Sequence, residues 1–447
     1  MRLVRVSDRQ GNRRLGQVGL RGRVPRFDAA RPFCLADYAL AMPAPRQFKV
    51  ADRLAPFGTS IFAEMTALAT RHNAVNLAQG FPDFNGPEEI RRAAVDAIRS
   101  EEPRHNQYAR MIGVPPLNQA IAERWKARGL PEIDPDSWVT VTSGCTEAIP
   151  SVMLGLLNPG DEVILFEPFY DSYRANVSMA GAIPRIVRLH PPRHERTGGA
   201  PAQFWFDEDD LAHAFGPRTR AILVNTPHNP TGKVFTRAEL ECVAELCRRH
   251  DVLAITDEVY EHLVYEPGLP HVSLASLPGM RERTLTMSSL GKTFSFTGWK
   301  VGWVVASPDL TTGVRAAHQF LTFGAATPLQ HAAAAALRTG RVHIDPLVEM
   351  FRGNRDYLAR ALREIGFGVH VPAGSYFIMA DHSGFGLGDD RQFCEHLTRE
   401  VGVAAIPPSA FYEDASLGRA MARFAFCKKR ETLEAAVERL GRLRRQA

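Results

Sequence analysis

Short apolar runs alternate with longer stretches of helical periodicity along most of this chain. That alternation predicts an α/β domain built around a mostly parallel sheet. Trp138–Val141 reads as a strand that passes through Ser143-Gly144-Cys145 into a helix over Glu147–Leu157, which Asn158-Pro159-Gly160-Asp161 closes. Glu162–Phe166, Ala221–Asn225 and Val252–Thr256 read as further strands, with a helix over Arg237–His250 before the last of them. Thr284–Ser288 and Val301–Ala306 read as strands on either side of a loop of small and hydroxyl residues. After Pro328 the texture changes: helical patterns over Ala332–Leu337 and Pro346–Ile365, short strands near Val369 and over Tyr376–Ala380, and a closing helix over Arg430–Arg444 predict a smaller α+β domain. His190–Gln203, rich in Pro, His and Gly, reads as a surface loop. In open α/β sheets ligands bind outside the carboxyl ends of the strands, so the residues that follow strands carry the chemical interest.

Composition changes this picture little. A chain of 447 residues, 45% hydrophobic and 23% charged, is long enough for two globular domains. Its formal charge of +5 is concentrated near the start, where nine arginines between Arg2 and Arg31 face only Asp8 and Asp28. The remainder is near neutral, so nucleic-acid binding is not indicated. Residues 1–41 form an Arg-rich extension without an apolar core; it is expected to be disordered, with Met42 as the natural start. The six cysteines form no CxxC pair and no Cys/His cluster with zinc spacing, so no metal is expected and reduced thiols in a cytoplasmic protein fit best. No apolar run approaches the roughly 20 residues that span a bilayer.

Several loops that follow strands carry chemistry. Ser288–Lys300 presents Lys292 among small and hydroxyl residues, with Ser289 before it and a second cation, Lys300, eight positions on. Asn225-Thr226-Pro227-His228-Asn229-Pro230-Thr231-Gly232 is a rigid, sharply turned loop; Asn229 could serve a ligand or simply bond its own backbone. Asp257-Glu258-Val259-Tyr260 ends a strand. Asp257 could pair with a cation, which Tyr260 would approach from the same side one helical turn on, or Asp257 could cap a helix. Ser143-Gly144-Cys145-Thr146, between strand and helix, offers backbone N–H groups to an anion. In Glu167–Tyr173 either Tyr170 or Phe169 could face a ligand, with the other filling the core. Arg423 lies in an apolar strand, Met421–Phe426, where it must find a partner, either a ligand carboxylate or a structural ion pair.

Taken together and in this order, these segments resemble the pyridoxal-phosphate-dependent aminotransferases of fold type I. The resemblance covers nearly everything from Met42 onward. It is most marked to the kynurenine/glutamine and methionine aminotransferase branch, through Asp257-Glu258-Val259-Tyr260-Glu261-His262 and Thr297-Gly298-Trp299-Lys300-Val301-Gly302. It implies a large domain at 77–325 with a sheet of seven-stranded type, a small domain at 326–447, and an arm at 42–76 that joins the small domain. It implies that Lys292 holds pyridoxal 5'-phosphate as a Schiff base and then acts as general base and acid. Asp257 would face the pyridine nitrogen, Tyr260 and Asn229 (before a cis Pro230) the phenolic oxygen, and Tyr170 the ring face. Cys145, Thr146, Ser289 and Lys300 would hold the phosphate, joined by Tyr108 from the partner subunit of a homodimer. Arg423 would clamp the substrate carboxylate, with Gly80 in the substrate-lining turn. Ile61, Phe62, Phe323 and Tyr376 fall where relatives line the side-chain pocket. No second arginine stands out, which favours methionine, aromatic amino acids, glutamine or kynurenine as donor over aspartate; Gly324, where kynurenine-type relatives often carry His, leans toward methionine. A cysteine-conjugate β-lyase on the same lysine is the nearest alternative. A pyridoxal-phosphate-binding regulator is disfavoured because no helix-turn-helix pattern precedes the fold.

Overall fold

The computed structural model describes residues 49–192 and 202–445, together with a two-residue antiparallel pair, Val6–Ser7 with Arg13–Arg14, in a separate unit before residue 51. The expected disorder of residues 1–41, that pair apart, and most of the expected loop at 190–203 fall outside the described residues.

Seven strands make the central sheet: β1 (Val139–Thr142), β2 (Glu162–Glu167), β3 (Ile183–Arg188), β4 (Thr219–Asn225), β5 (Leu253–Asp257), β6 (Thr284–Ser289) and β7 (Gly302–Val305). Their spatial order is β1-β7-β6-β5-β4-β2-β3. Only β7 runs against its neighbours, so the other six point the same way. The inner strands are almost wholly buried because helices cover both faces, which is why they read as continuous apolar runs. Alternate residues divide between the two faces. Ile164, Ile222 and Ala254 pack with the helix Arg237–His250, while Val163, Leu223 and Ile255 pack with the helix Cys145–Leu156. Thr236 and Glu239 form a capping box that starts the first of these helices at the expected residue. The edge strand β3 has no counterpart among the expected strands: Ile183-Pro184-Arg185-Ile186-Val187-Arg188 carries a proline and two arginines and is exposed at alternate positions, as edge strands tolerate.

A second, antiparallel sheet consists of β8 (Gly368–His370), β9 (Phe377–Asp381) and β10 (Met421–Ala425) in that order. The long helix Ile344–Ile365 packs against Arg430–Leu440. Val75–Asn76 pairs in parallel with Val403–Ala404, which ties the segment after the helix Ile61–Arg71 to the C-terminal part of the chain. Helix Thr327–Arg338, just beyond the expected boundary at 325, packs against Glu88–Arg99 and Pro115–Ala127.

Register fixes the site. Asn225 pairs with Asp257 and Asp257 with Met287, while Gly302 pairs with both Ser289 and Thr142. The carboxyl ends of β1, β4, β5 and β6 therefore open onto one region.

Candidate active site

That region holds a cavity of about 360 Å³. Gly80, Phe62, Cys145, Thr146, Tyr170, Asn229, Asp257, Tyr260, Ser289, Lys292, Lys300 and Arg423 all line it. Tyr108 and Phe323 do not: they stand on the surface, 91% and 43% exposed, with their rings edge to face at 5.6 Å. Within one chain Phe323 is thus no part of the pocket wall expected of it, because its backbone turns through φ 63° and holds the ring against Tyr108.

Lys292 sits on a single helical turn, Leu290–Thr293, directly after β6. Its Nζ donates to the Tyr376 hydroxyl at 2.8 Å and to the Gly80 carbonyl at 3.2 Å. Burial lowers its pKa to about 8, while the negative charge of Asp257 resists the shift. Tyr376 is therefore placed by its hydroxyl on the lysine amine, whereas its apolar character had suggested the side-chain pocket.

Asp257 ends β5 and is buried. Its Oδ2 accepts from the Tyr173 hydroxyl at 2.7 Å and its Oδ1 from the Val259 N–H at 3.2 Å. No helix begins there; a turn carries Tyr260 to the cavity, so the helix-cap alternative falls and so does the expected helical turn. Burial pushes the Asp257 carboxyl up, against the Tyr173 hydrogen bond, because both donors are neutral. A carboxylate so placed lacks a cation at hydrogen-bond range, which a protonated pyridine nitrogen would supply. Tyr173 and Asn225, whose Nδ2 donates to the Asp257 carbonyl at 2.9 Å, are site residues missed in the sequence. The signal for Tyr173 was its position three residues after Tyr170 on the helix Asp171–Met179. Phe169, as the alternative had it, is core.

Arg423 is 1% exposed and forms no ion pair among the described residues, so the structural ion-pair alternative also falls. Its Nη1 donates to Asn229 Oδ1 at 2.9 Å and its Nη2 to the Ala78 carbonyl at 3.0 Å, between the rings of Phe62, Phe377 and Phe411. Guanidinium has five N–H donors, so others stay available to a two-oxygen acceptor; Nε has no partner. Burial lowers the pKa of Arg423 to about 10. The Asn229–Pro230 bond is cis, and because Asn229 Oδ1 accepts from Arg423, the amide nitrogen is the atom it can offer a ligand.

At the start of the helix Cys145–Leu156, Gly144 takes φ 70°, a conformation that favours glycine and exposes the first N–H groups of the helix. The Cys145 thiol donates to the Ser288 carbonyl at 3.2 Å and is held well above its ordinary pKa by burial, so the thiol is neutral and already engaged. Lys300 Nζ donates to Thr146 Oγ1 at 2.7 Å across this turn. A helix N-terminus with a lysine and hydroxyls around it suits a phosphate dianion. An amine of lowered pKa, a carboxylate short of a cation and an anion cradle are the donor set that pyridoxal 5'-phosphate requires.

The cradle is braced from below. Glu147 accepts from the Ser143 N–H at 3.0 Å and from the Ser151 hydroxyl at 2.6 Å. Its Oε1 also lies 2.9 Å from Nδ1 of the buried His318, whose Nε2 is 2.9 Å from the Met111 carbonyl. Both neighbours are acceptors, so both ring nitrogens carry protons and the ring is an imidazolium. Burial works against the charge, but the Glu147 hydrogen bond and charge and the Met111 carbonyl raise the pKa above its ordinary value. A raised folded-state pKa stabilises fully below the unfolded value, about 6.5, and the gain is lost as pH climbs through the folded value. His318→Gln should therefore lower Tm most at pH 6, by an amount worth about 1–3 kcal/mol, and least at pH 9. A thermal-unfolding series with a pH-independent gap between the two proteins would reject this assignment.

An open α/β sheet with a lysine after one strand, facing a buried aspartate at the end of the next, defines a transferase of fold type I. The chain belongs to the class I and II aminotransferases, whose family model matches residues 72–440. It is 46% identical over 399 residues to a probable N-succinyldiaminopimelate aminotransferase of Mycobacterium tuberculosis, covering 87% of this chain and 97% of that one. It is 40% identical over 392 residues to the methionine aminotransferase of Escherichia coli, covering 88% and 98%. The solved structure of the N-succinyldiaminopimelate aminotransferase from M. tuberculosis superposes with a TM-score of 0.83 over 88% of this chain and 100% of that one. Kynurenine–oxoglutarate transaminase 3 of Rattus norvegicus is 39% identical over 88% of this chain and 90% of its own length. The sequence resemblance to the methionine and kynurenine branch thus stands, and the succinyldiaminopimelate relative lies beyond what it named.

Proposed function

We propose that this aminotransferase moves the amino group of a neutral L-amino acid, of methionine, aromatic, glutamine or kynurenine type, to a 2-oxo acid. The observation that carries the reading is Arg423: a buried guanidinium without a carboxylate, walled by Phe62, Phe377 and Phe411, in a cavity where it is the only arginine among the described lining residues. One carboxylate clamp surrounded by aromatic rings suits a donor with an uncharged side chain.

Pyridoxal 5'-phosphate, when bound, supplies an electron sink for the donor's α-carbon. Cys145 and Thr146 N–H groups, Ser289 and Lys300 would hold its phosphate, Asp257 its ring nitrogen, and Asn229 and Tyr260 its phenolic oxygen, with Tyr170 over the ring. Arg423 binds the donor carboxylate and so orients the α-carbon hydrogen. Lys292 Nζ, with its pKa lowered to about 8, would take the proton from the donor's α-carbon and, in the return half of the reaction, deliver a proton to the α-carbon of the acceptor 2-oxo acid. Tyr108 and Phe323, side by side on the surface, would complete the site of the partner in a homodimer. A cytoplasmic enzyme and the division at 76/77 and 325/326 belong to the same reading; no described helix is long and apolar enough to cross a membrane.

A steady-state screen of donors against 2-oxoglutarate and other 2-oxo acids tests the reading. Methionine or phenylalanine should outrun aspartate, and the reverse order sinks it. N-succinyldiaminopimelate belongs in the same screen because of the 46% identity to the mycobacterial enzyme. Pyruvate release from a cysteine conjugate, without amino transfer, would mark the β-lyase alternative. Arg423→Lys, which keeps the charge but loses the fork, should lower donor kcat/KM at least about 10²-fold through KM, since each charge-assisted hydrogen bond contributes about 1.5–3 kcal/mol. An unchanged donor KM would remove Arg423 from the clamp.

A further inference from the structure

We propose that Tyr376 is a positioning residue: its phenol and the Gly80 carbonyl form a dock that holds the Lys292 amine whenever that amine is free of ligand. This rests on reading Lys292 as the cofactor lysine, and it adds a residue that the family resemblance had placed in the substrate pocket.

Three short contacts close a triangle. The Tyr376 hydroxyl donates to the Gly80 carbonyl at 2.6 Å, and Lys292 Nζ donates to that hydroxyl at 2.8 Å and to the same carbonyl at 3.2 Å. A carbonyl can only accept, so the single phenol proton is spent on Gly80 and the phenol oxygen meets the amine with a lone pair. The dock therefore presents two acceptors to the amine and no donor. It also carries no charge: burial holds the Tyr376 phenol well above its ordinary pKa, so it is neutral. Asp257 acts on the amine only at longer range: no hydrogen bond or ion pair joins the two side chains.

The fold is shaped around this triangle. A Cβ on Gly80 would meet Phe377 Cζ at 2.6 Å and Tyr376 Cε2 at 3.2 Å, so only glycine brings its carbonyl this close. On the other side, Ser375 takes φ 55°, its N–H donates to the Leu263 carbonyl at 2.9 Å, and the Tyr265 hydroxyl bonds the Ser375 carbonyl. The Tyr376 carbonyl accepts from the Phe426 N–H at 3.0 Å. Tyr376 is thus pinned before and after, and its ring stands 5.0 Å from that of Tyr260. A neutral dock of acceptors retains the amine in a fixed place while favouring its protonated form only mildly, which suits a group that must both take and return a proton.

The test compares cofactor-free wild type with Tyr376→Phe, which keeps the ring and removes the acceptor. Each is titrated with the neutral amine reagent fluorodinitrobenzene, and labelling of Lys292 is followed by peptide mass spectrometry across pH. The titratable and charged groups around the amine, Asp257, Lys300, Arg423, Cys427 and Tyr260, are the same in both proteins. Wild type should show a midpoint near 8, and the variant a midpoint lower by about one pH unit, the tenfold loss of one hydrogen bond to a charged group. An unchanged midpoint in a variant of wild-type Tm overturns the dock. Should the variant fail to fold, a crystal structure of wild type loaded with pyridoxamine 5'-phosphate decides: Lys292 Nζ within hydrogen-bond range of the Tyr376 hydroxyl supports the dock, and Nζ elsewhere overturns it. Borohydride reduction of the holoenzyme separates this from the underlying reading, since cofactor fixed to a lysine other than Lys292 rejects both, while cofactor fixed to Lys292 with an unmoved midpoint rejects the dock alone.

Discussion

Lys292→Ala is expected to abolish the visible absorption band of the covalently held cofactor and to lower turnover by at least about 10⁴-fold, since on the proposed reading it removes both the covalent anchor and the acid–base group. The protein should stay folded. The side chain stands at the floor of the cavity, and its buried amine is already penalised by loss of water, as the lowered pKa shows. Its two acceptors, the Tyr376 hydroxyl and the Gly80 carbonyl, still satisfy each other at 2.6 Å after the amine is gone. Cofactor should remain associated without the covalent bond, because the phosphate cradle proposed at Gly144–Thr146 and Lys300 lies on other elements. The measurement is an absorption spectrum with borohydride trapping, alongside single-turnover rates with methionine. A retained band with turnover within about tenfold of wild type would show that another amine holds the cofactor.

Why Lys292 was legible in the sequence, and Tyr376 was not, has a physical reason. Lys292, Asp257, Asn229 and Cys145 each lie at or just beyond the carboxyl end of a strand in a segment of unusual composition, and the order of the parallel strands alone brings those ends together. The inner strands were legible because burial on both faces leaves near-continuous apolar runs, whereas β3, exposed at alternate positions and interrupted by Pro184, offered no such run. Arg423 stood out as a charge inside an apolar strand, and among the described residues it forms no ion pair. The bonds of Tyr173 and Tyr376 were hidden for a different reason: Tyr173 was passed over beside Tyr170 and Tyr376 was placed in the side-chain pocket, and only the tertiary fold reveals which atom each hydroxyl meets, Asp257 in one case and Lys292 in the other. The surface pair Tyr108 and Phe323 marks another limit: the role proposed for them in a partner's site is one that the fold of a single chain does not display.

Asp257→Asn should separate two effects of the same carboxylate. On the proposed reading the carboxylate would face the cofactor's ring nitrogen and keep it protonated, so loss of the charge should cut turnover by about 10²–10³-fold, the scale on which one preorganised electrostatic partner acts. In the cofactor-free chain the sign reverses. Burial raises the Asp257 pKa, and the Tyr173 and Val259 hydrogen bonds only partly oppose it. A carboxyl with a raised folded-state pKa is neutral and harmless at low pH, and its contribution to stability is lost as pH rises from the unfolded value, about 3.9, through the folded one. Asparagine cannot ionise and shows no such loss, although its amide group must present one N–H₂ where the carboxylate had two acceptors, at a cost of about 1 kcal/mol. The Tm of cofactor-free wild type relative to the variant should therefore fall between pH 4 and pH 8. Saturating cofactor should reverse the trend by supplying the missing cation and stabilising wild type more than the variant. Parallel unfolding curves in both states, or a variant with turnover within about threefold of wild type, would mean that Asp257 is held by Tyr173 for structure alone.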